Sequence, residues 1–554
     1  RQSVFQEQQH DATLAAEFQH MLAGRAPVQI PPRTTLRVLV DVDQYVCGWP
    51  MLTTSKGDGA TITIGWAEAL FTRPDGNEKG HRDIIEGKYF CGFEDRLICD
   101  GSTAFSFEPF WWEAGRYIRL LIETADKPLR VDAFAIRETH YPHVFQSAFV
   151  CDDPRWGPLQ RIAQRGLEMC SHETYFDCPY YEQLMYAGDT RLEILTTYAT
   201  TSDDRLPRKA ITLFDRSRDA SGLTRSRTPC SESQIIPPFS LWWIMMVHDF
   251  AFWRNDLDFV RARMPGVRAV LEAFRSHVGA DGLLYALQGW NFTDWVVTWE
   301  RGGTPPDGQD GANATLNLQF AWVLRAVAEL EDRFGEPELA ARNRRTADGI
   351  TRAAQHHFWV PERNLFAENK SKTRFSEHAQ CMAVLGDSLP ENAQIADPLL
   401  HAEDLDRTTI YFAHYLFETF QKLRLPNAIY NRLQLWFEHE KLGLKTTVEM
   451  PEPTRSDCHA WGAHPVFHAY ATFAGIRPSA PGFSAVTITP QPGPLRSLKA
   501  SMIHPSGGII EVHIEQADDG TLHGHARVPD GLPATLILNP GAKPQTWVGG
   551  VHHF

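Results

Sequence analysis

The stretch "DPRWGPLQRIAQRGLEMC", Asp153 to Cys170, decides the architecture. Asp153 is a capping residue type, Pro154 suits a first helical position, and Leu159, Ile162, Ala163, Leu167 and Cys170 recur on one helical face. The sequence before it has a different period. From 35 to 137 the runs "TLRVLVDV", "ATITIGWAEAL", "RYIRLLIE" and "RVDAFAIRE" alternate or are β-branched, broken by Gly, Asp and Pro. That pattern predicts a β-sandwich domain. Residues 1–34 read as an N-terminal lead-in with one helix, "DATLAAEFQHMLAG", and a proline-rich run.

Downstream of Cys170 helical periodicity recurs at about 190–201, 206–218, 239–254, 256–277, 314–335, 336–358, 376–386, 408–423, 427–440 and 459–474. Consecutive pairs of this kind form helical hairpins, and six of them can close into a double-layered (α/α)6 barrel, here assigned to residues 138–475. An irregular helical domain is the alternative, because no sequence repeat marks the pairs. At 476–554 the pattern turns to strands again, "AVTITP", "GIIEVHIEQ", "GTLHGHARV" and "ATLILNP", predicting a C-terminal β-sandwich. The expected fold is therefore multidomain, a helical barrel flanked by two β-domains, as befits 554 residues.

A formal net charge of -14 argues against a nucleic-acid backbone or an anionic membrane as partner and favours a neutral ligand. Sixteen Trp and fourteen Tyr suit either large cores or the C–H faces of sugars. Nine scattered cysteines form neither a zinc pattern nor a disulfide framework, and no apolar run approaches the ~18 residues of a membrane span. The chain begins with Arg and shows no signal-peptide core. Localisation stays open: periplasmic or secreted if an export signal precedes it, cytoplasmic otherwise.

Long loops at one end of a helical ring surround a central cavity, and three loops are rich in acids and tryptophan: 173–189, 286–313 and 441–458. Two carboxyls facing each other across a cavity suit glycoside hydrolysis. In the first loop, Glu182 has apolar neighbours that would raise its pKa toward the range of a general acid, or it is a solvated carboxylate. Asp189 is placed to cap "TRLEILTTYA", and Asp177 before Cys-Pro fits a turn. The second loop offers Trp290, Asp294, Trp295 and Trp299 as stacking faces with a carboxylate, or as a tryptophan-rich core edge. In the third, Glu449 competes with Glu452. His459, His464 and His468 lack a metal-site signature and are expected to form hydrogen bonds.

"DCPYYEQLMYAGDTR" resembles the Asp-Cys-Pro…Glu…Gly-Asp signature of the bacterial α-L-rhamnosidases of glycoside hydrolase family 78, and "FTDW", "TTVE" and "CHAWGAHP" follow in the same order. The resemblance runs from "FSFEPFWWEAGRYIRL" to the C-terminal domain. It implies an (α/α)6 catalytic barrel and inverting, exo-acting hydrolysis of terminal α-L-rhamnosides, with no cofactor. Glu182 then matches the general acid and Glu449 the general base. Asp177 and Asp189 match carboxylates that hold the rhamnose hydroxyls, Asp294 and Trp295 a sugar-binding pair, and His459 a histidine near the base. Trp290 and Trp299 are added as candidate sugar contacts. The sequence departs from the family at two points: Tyr180 and Tyr181 stand where an Arg is common, and Val448 stands where a Trp often precedes the base. The alternatives are a lyase or a hydrolase of another sugar on the same ring, or a non-catalytic carbohydrate-binding protein.

Overall fold

The computed structural model describes residues 5–6, 11–76, 78–539 and 541–554. Residues 1–4 and 7–10 of the expected lead-in lie outside them. The lead-in helix spans Ala12–Leu22, and the Asp11 carboxylate accepts from the Thr13 and Leu14 amides as a cap. Val28–Ile30 pairs with Leu129–Glu138, so the sheet domain begins before residue 35. Its organiser is Thr35–Lys56. The first part of this long strand pairs with Glu113–Glu123 and the second with Leu129–Glu138, so that seven strands join one sheet.

The helical domain follows the predicted pairing. Trp156–Met169 starts two residues later than Pro154 suggested, because Asp153 accepts from the Arg155 amide just ahead of it. Its Leu159, Ile162, Ala163 and Leu167 are buried as the period required. Three predicted helices are broken: 256–277 divides into Leu257–Arg261 and Met264–Arg275, the second opened by Pro265, and 427–440 divides at Leu433 into Pro426–Arg432 and Gln434–Lys441. The segment 459–474 becomes short turns of different pitch, Ala460–Ala463, Pro465–His468 and Ala469–Phe473.

Burial separates an inner from an outer layer. Ala187–Thr200 is buried at every position, and Pro237–Trp253 at nearly every one, whereas Arg205–Arg216 buries only Leu206, Pro207, Ala210, Ile211 and Phe214. A helix apolar on one stripe belongs outside, and one buried all round belongs inside. The inner helices pack in sequence: Ala187–Thr200 on Pro237–Trp253, then Ala314–Phe334, Glu377–Leu385 and Ala413–Lys422. Pro465–His468 returns to Ala187–Thr200, and a His414–His468 hydrogen bond of 3.1 Å joins it to Ala413–Lys422. Six inner segments thus close a ring.

The C-terminal sheet has seven strands and recruits Ala148–Cys151 from ahead of the helices. Most of "GTLHGHARV" and the first three residues of "ATLILNP", read as two strands, fall on one bulged strand, Leu522–Leu536.

Candidate active site

The long loops each precede an inner helix, so they gather at one end of the ring. There they enclose a cavity of about 250 Å³ lined by Asp177, Glu182, Tyr186, Asp189, Ile236, Phe239, Trp290, Phe292, Trp295, Glu449, Arg455, His459 and Trp461. The ring brings together residues more than 270 positions apart.

The first loop is closed by Asp177. One carboxylate oxygen accepts from the Leu184 amide at 3.1 Å and the other from the Cys178 thiol, while the Gln183 amide donates to the Cys178 carbonyl. Burial, then the nearby Glu182 and Asp189 charges, push the Asp177 carboxyl well above the usual range. Tyr180 turns away from the cavity and donates to the Trp66 carbonyl of the sheet domain at 2.9 Å. Asp189 is not the helix cap that its place in the sequence suggested. The helix begins at Ala187 and Asp189 sits in its first turn, buried, bonded at 2.9 Å to His459 Nε2. Gly188 beside it is required by packing: a Cβ there would stand 2.5 Å from the Phe239 ring.

The third loop is a hairpin. The His459 amide donates to the Thr447 carbonyl and the Glu449 amide to the Ser456 carbonyl. Thr446 and Thr447 hydroxyls donate across to Asp457 and His459, and Trp461 Nε1 holds the Glu449 carbonyl. Glu449 is therefore fixed and almost fully buried. Glu452 leaves the cavity and pairs with Arg82 at 2.6 Å. The hairpin is clamped to the sheet domain by Lys79 and Arg82. Lys79 reaches Asp457 and the Arg455 carbonyl, and Arg82 makes two bonds to Asp457.

Between the two acids lies one guanidinium. Arg455 Nη2 donates to Glu182 Oε1 at 2.8 Å and Arg455 Nε to Glu449 Oε2 at 2.9 Å. The other Glu182 oxygen accepts from the Tyr186 hydroxyl at 2.9 Å, itself held by Arg227. The sequence led us to expect a raised Glu182 pKa. Burial does push it up, but the Arg455 charge and hydrogen bond, with the Tyr186 hydroxyl, outweigh it and the net shift is downward. Burial takes His459 down to about 4, so the ring is neutral at pH 7.

Trp290, Phe292 and Trp295 form an aromatic wall, with Phe292 and Trp295 ring centres 5.0 Å apart. Asp294 does not share it. Fully buried, it accepts from His378, the Thr409 amide and hydroxyl, and the Trp295 amide, so it anchors the loop rather than reaching the cavity. Trp299 also points elsewhere. Its Nε1 bonds Asp406, and its ring lines a separate polar depression of about 590 Å³ with Lys370 and Arg374. His464 and His468 turn into the ring core beside His414. Tyr186, Phe239, Arg455 and Trp461 line the site without having been singled out. Tyr186 carried a local signal, four residues from Glu182 within the same motif, and so did Trp461 within "CHAWGAHP"; Phe239 and Arg455 carried none.

A closed ring of six helical hairpins, with paired carboxylates in a pocket at one end, defines the six-hairpin class of carbohydrate-active folds. Within it the chain belongs to the bacterial α-L-rhamnosidase family: the six-hairpin glycosidase domain model of that family matches residues 145–471, and its C-terminal domain model matches 475–552. A curated α-L-rhamnosidase of Formosa agariphila is 28% identical over 159 residues, 27% of this chain but only 16% of that enzyme. A family 78 rhamnosidase from Bacillus sp. GL1 superposes with a TM-score of 0.82 at 22% identity, over 93% of this chain and 54% of that one. A Klebsiella oxytoca rhamnosidase solved with rhamnose bound gives 0.70 at 18% identity, over 84% and 95%. The chain thus spans about half the length of the Bacillus relative.

Proposed function

We propose that the protein is an inverting α-L-rhamnosidase that removes terminal, non-reducing α-L-rhamnose from a glycoside or polysaccharide. The observation that carries the reading is the pairing of Glu182 and Glu449 on one guanidinium across a small cavity. Family membership supplies the sugar. The cavity falls below the roughly 300–1,000 Å³ of drug-sized ligand sites, which fits one sugar ring and hence cleavage from a chain end.

In this reading Glu182 protonates the glycosidic oxygen. Glu449 takes a proton from water attacking the anomeric carbon on the opposite face, and the bond to the leaving oxygen breaks with inversion. Inversion expects the two carboxyls roughly 6.5–9.5 Å apart with room for the attacking water, where a gap of roughly 5 Å would mean retention. Asp177, Asp189 and neutral His459 offer hydrogen-bond partners for sugar hydroxyls, and Trp290, Trp295 and Trp461 offer flat faces for its C–H surface. Asp294 serves through Trp295, whose amide it holds. Trp299 is left without a role at this sugar.

Glu182→Ala and Glu449→Ala are each expected to lower kcat on an aryl α-L-rhamnoside by about 100-fold or more, the scale of a lost general acid or base. Their thermal unfolding should stay near that of the wild type. Two variants that hydrolyse at the wild-type rate would refute the assignment.

A further inference from the structure

We infer that the sheet domain builds the leaving-group subsite: an aromatic platform of Phe93, Phe110 and Trp111 that takes the flat apolar face of whatever rhamnose is attached to. The inference rests on the reading of Glu182 as the general acid. That role fixes a direction, because the group that protonates the glycosidic oxygen must stand on the side from which the leaving group departs.

Aromatic residues of the sheet domain grip the chain on either side of Glu182. On one side, Tyr181 packs edge-on to Phe93 with ring centres 6.5 Å apart, and Phe93 lies 4.8 Å from Tyr180. On the other, Trp111 Nε1 donates to the Gln183 side-chain oxygen at 2.6 Å. Tyr181 and Gln183 are the immediate neighbours of the acid.

All three platform residues are exposed where aromatic side chains would normally be buried. Phe93 is 45% exposed, Trp111 52%, and Phe110 fully exposed. Apolar surface concentrated beside a site marks binding. Trp111 is also held in place: it stacks on Trp112 at 5.9 Å, and buried Trp112 stacks on His172 at 4.2 Å. With its indole N–H already satisfied by Gln183, Trp111 has only its ring face to offer. A rigid face costs little ordering on binding and suits a flat partner, either the C–H face of a second sugar or an aryl ring. The wall of Trp290, Phe292 and Trp295 comes from another loop and lines the cavity itself.

The test compares kcat/KM of the wild type, Trp111→Ala and Phe93→Ala on three glycosides: methyl α-L-rhamnoside, an α-L-rhamnosyl-glucose disaccharide and p-nitrophenyl α-L-rhamnoside. Each variant is expected to lose roughly tenfold more on the disaccharide, the aryl glycoside or both than on the methyl glycoside, mainly through KM. The arm that falls identifies a sugar or an aryl leaving group. Trp111→Phe should recover part of the loss, which a folding defect in the alanine variant would not explain. Equal losses on all three substrates would overturn the platform while leaving the rhamnosidase reading intact. A wild type that cleaves none of the three would overturn that reading, and the platform with it.

Discussion

Arg455 is the residue on which the site's electrostatics turn. Tyr181 stands where the family resemblance led us to expect an arginine, yet a guanidinium is present there, contributed by Arg455 of another loop and centred 5.4 Å from the Tyr181 ring. It lowers the pKa of the carboxyl that, as the proposed general acid, would have to carry a proton. In the pH profile of kcat/KM, activity falls on the alkaline side as the free enzyme's acid loses its proton. A depressed Glu182 therefore places that limb in the acidic range. Arg455→Met removes the largest lowering influence, so the limb should move to higher pH, whatever happens to the maximum. A limb that stays in place would show that Arg455 does not govern Glu182. Residue-scale chemistry was only partly legible beforehand. Glu182, Glu449, Asp177, Asp189 and His459 lie in recognisable local motifs and all reach the cavity. Arg455 and Phe239 could not be read because their importance arises from contacts between loops. "FTDW" was misleading at Asp294, since which of two adjacent side chains turns inward is decided by His378 and Thr409, far away in sequence.

At the scale of elements, the loop carrying Glu449 and Arg455 is held both by bonds across itself and by the sheet domain. Lys79, Arg82 and Asp457 are nearly fully buried together, with Glu68 completing the cluster. Burial alone would raise the Asp457 pKa, but Lys79 and then Arg82 hold it far below the ordinary range. A carboxyl depressed in the folded state adds stability above its unfolded value of about 3.9. This stability is lost as pH falls below about 4 toward the folded pKa. Asp457→Ala leaves two buried cations short of a partner and should cost about 3–5 kcal/mol in urea unfolding. A loss under about 1 kcal/mol would mean that the clamp is not load-sharing. Helix positions were legible because burial periodicity is a local signal. The breaks at 262–263, at Leu433 and within 460–473 were not, and neither were the strands Ser497–Ile503 and Gln545–His553. Their pairing depends on neighbours distant in sequence.

For the whole molecule, the ring and its loops supply the cavity, and the sheet domain clamps the loop that carries Glu449 through Lys79 and Arg82. The order strands, helices, strands was readable from changes of period, but not that Ala148–Cys151 would cross to the C-terminal sheet, or that Tyr180 and Tyr181 would tie the Glu182 loop to the N-terminal one. The central claim is that Glu182 and Glu449 act as acid and base across a gap that admits water. It is tested most directly by following hydrolysis of p-nitrophenyl α-L-rhamnoside by proton NMR in the first minutes, before mutarotation. An inverting pair releases β-L-rhamnose first, with the α anomer growing in later. Release of α-L-rhamnose first would instead require a covalent intermediate on one of the two carboxylates, and would contradict the account.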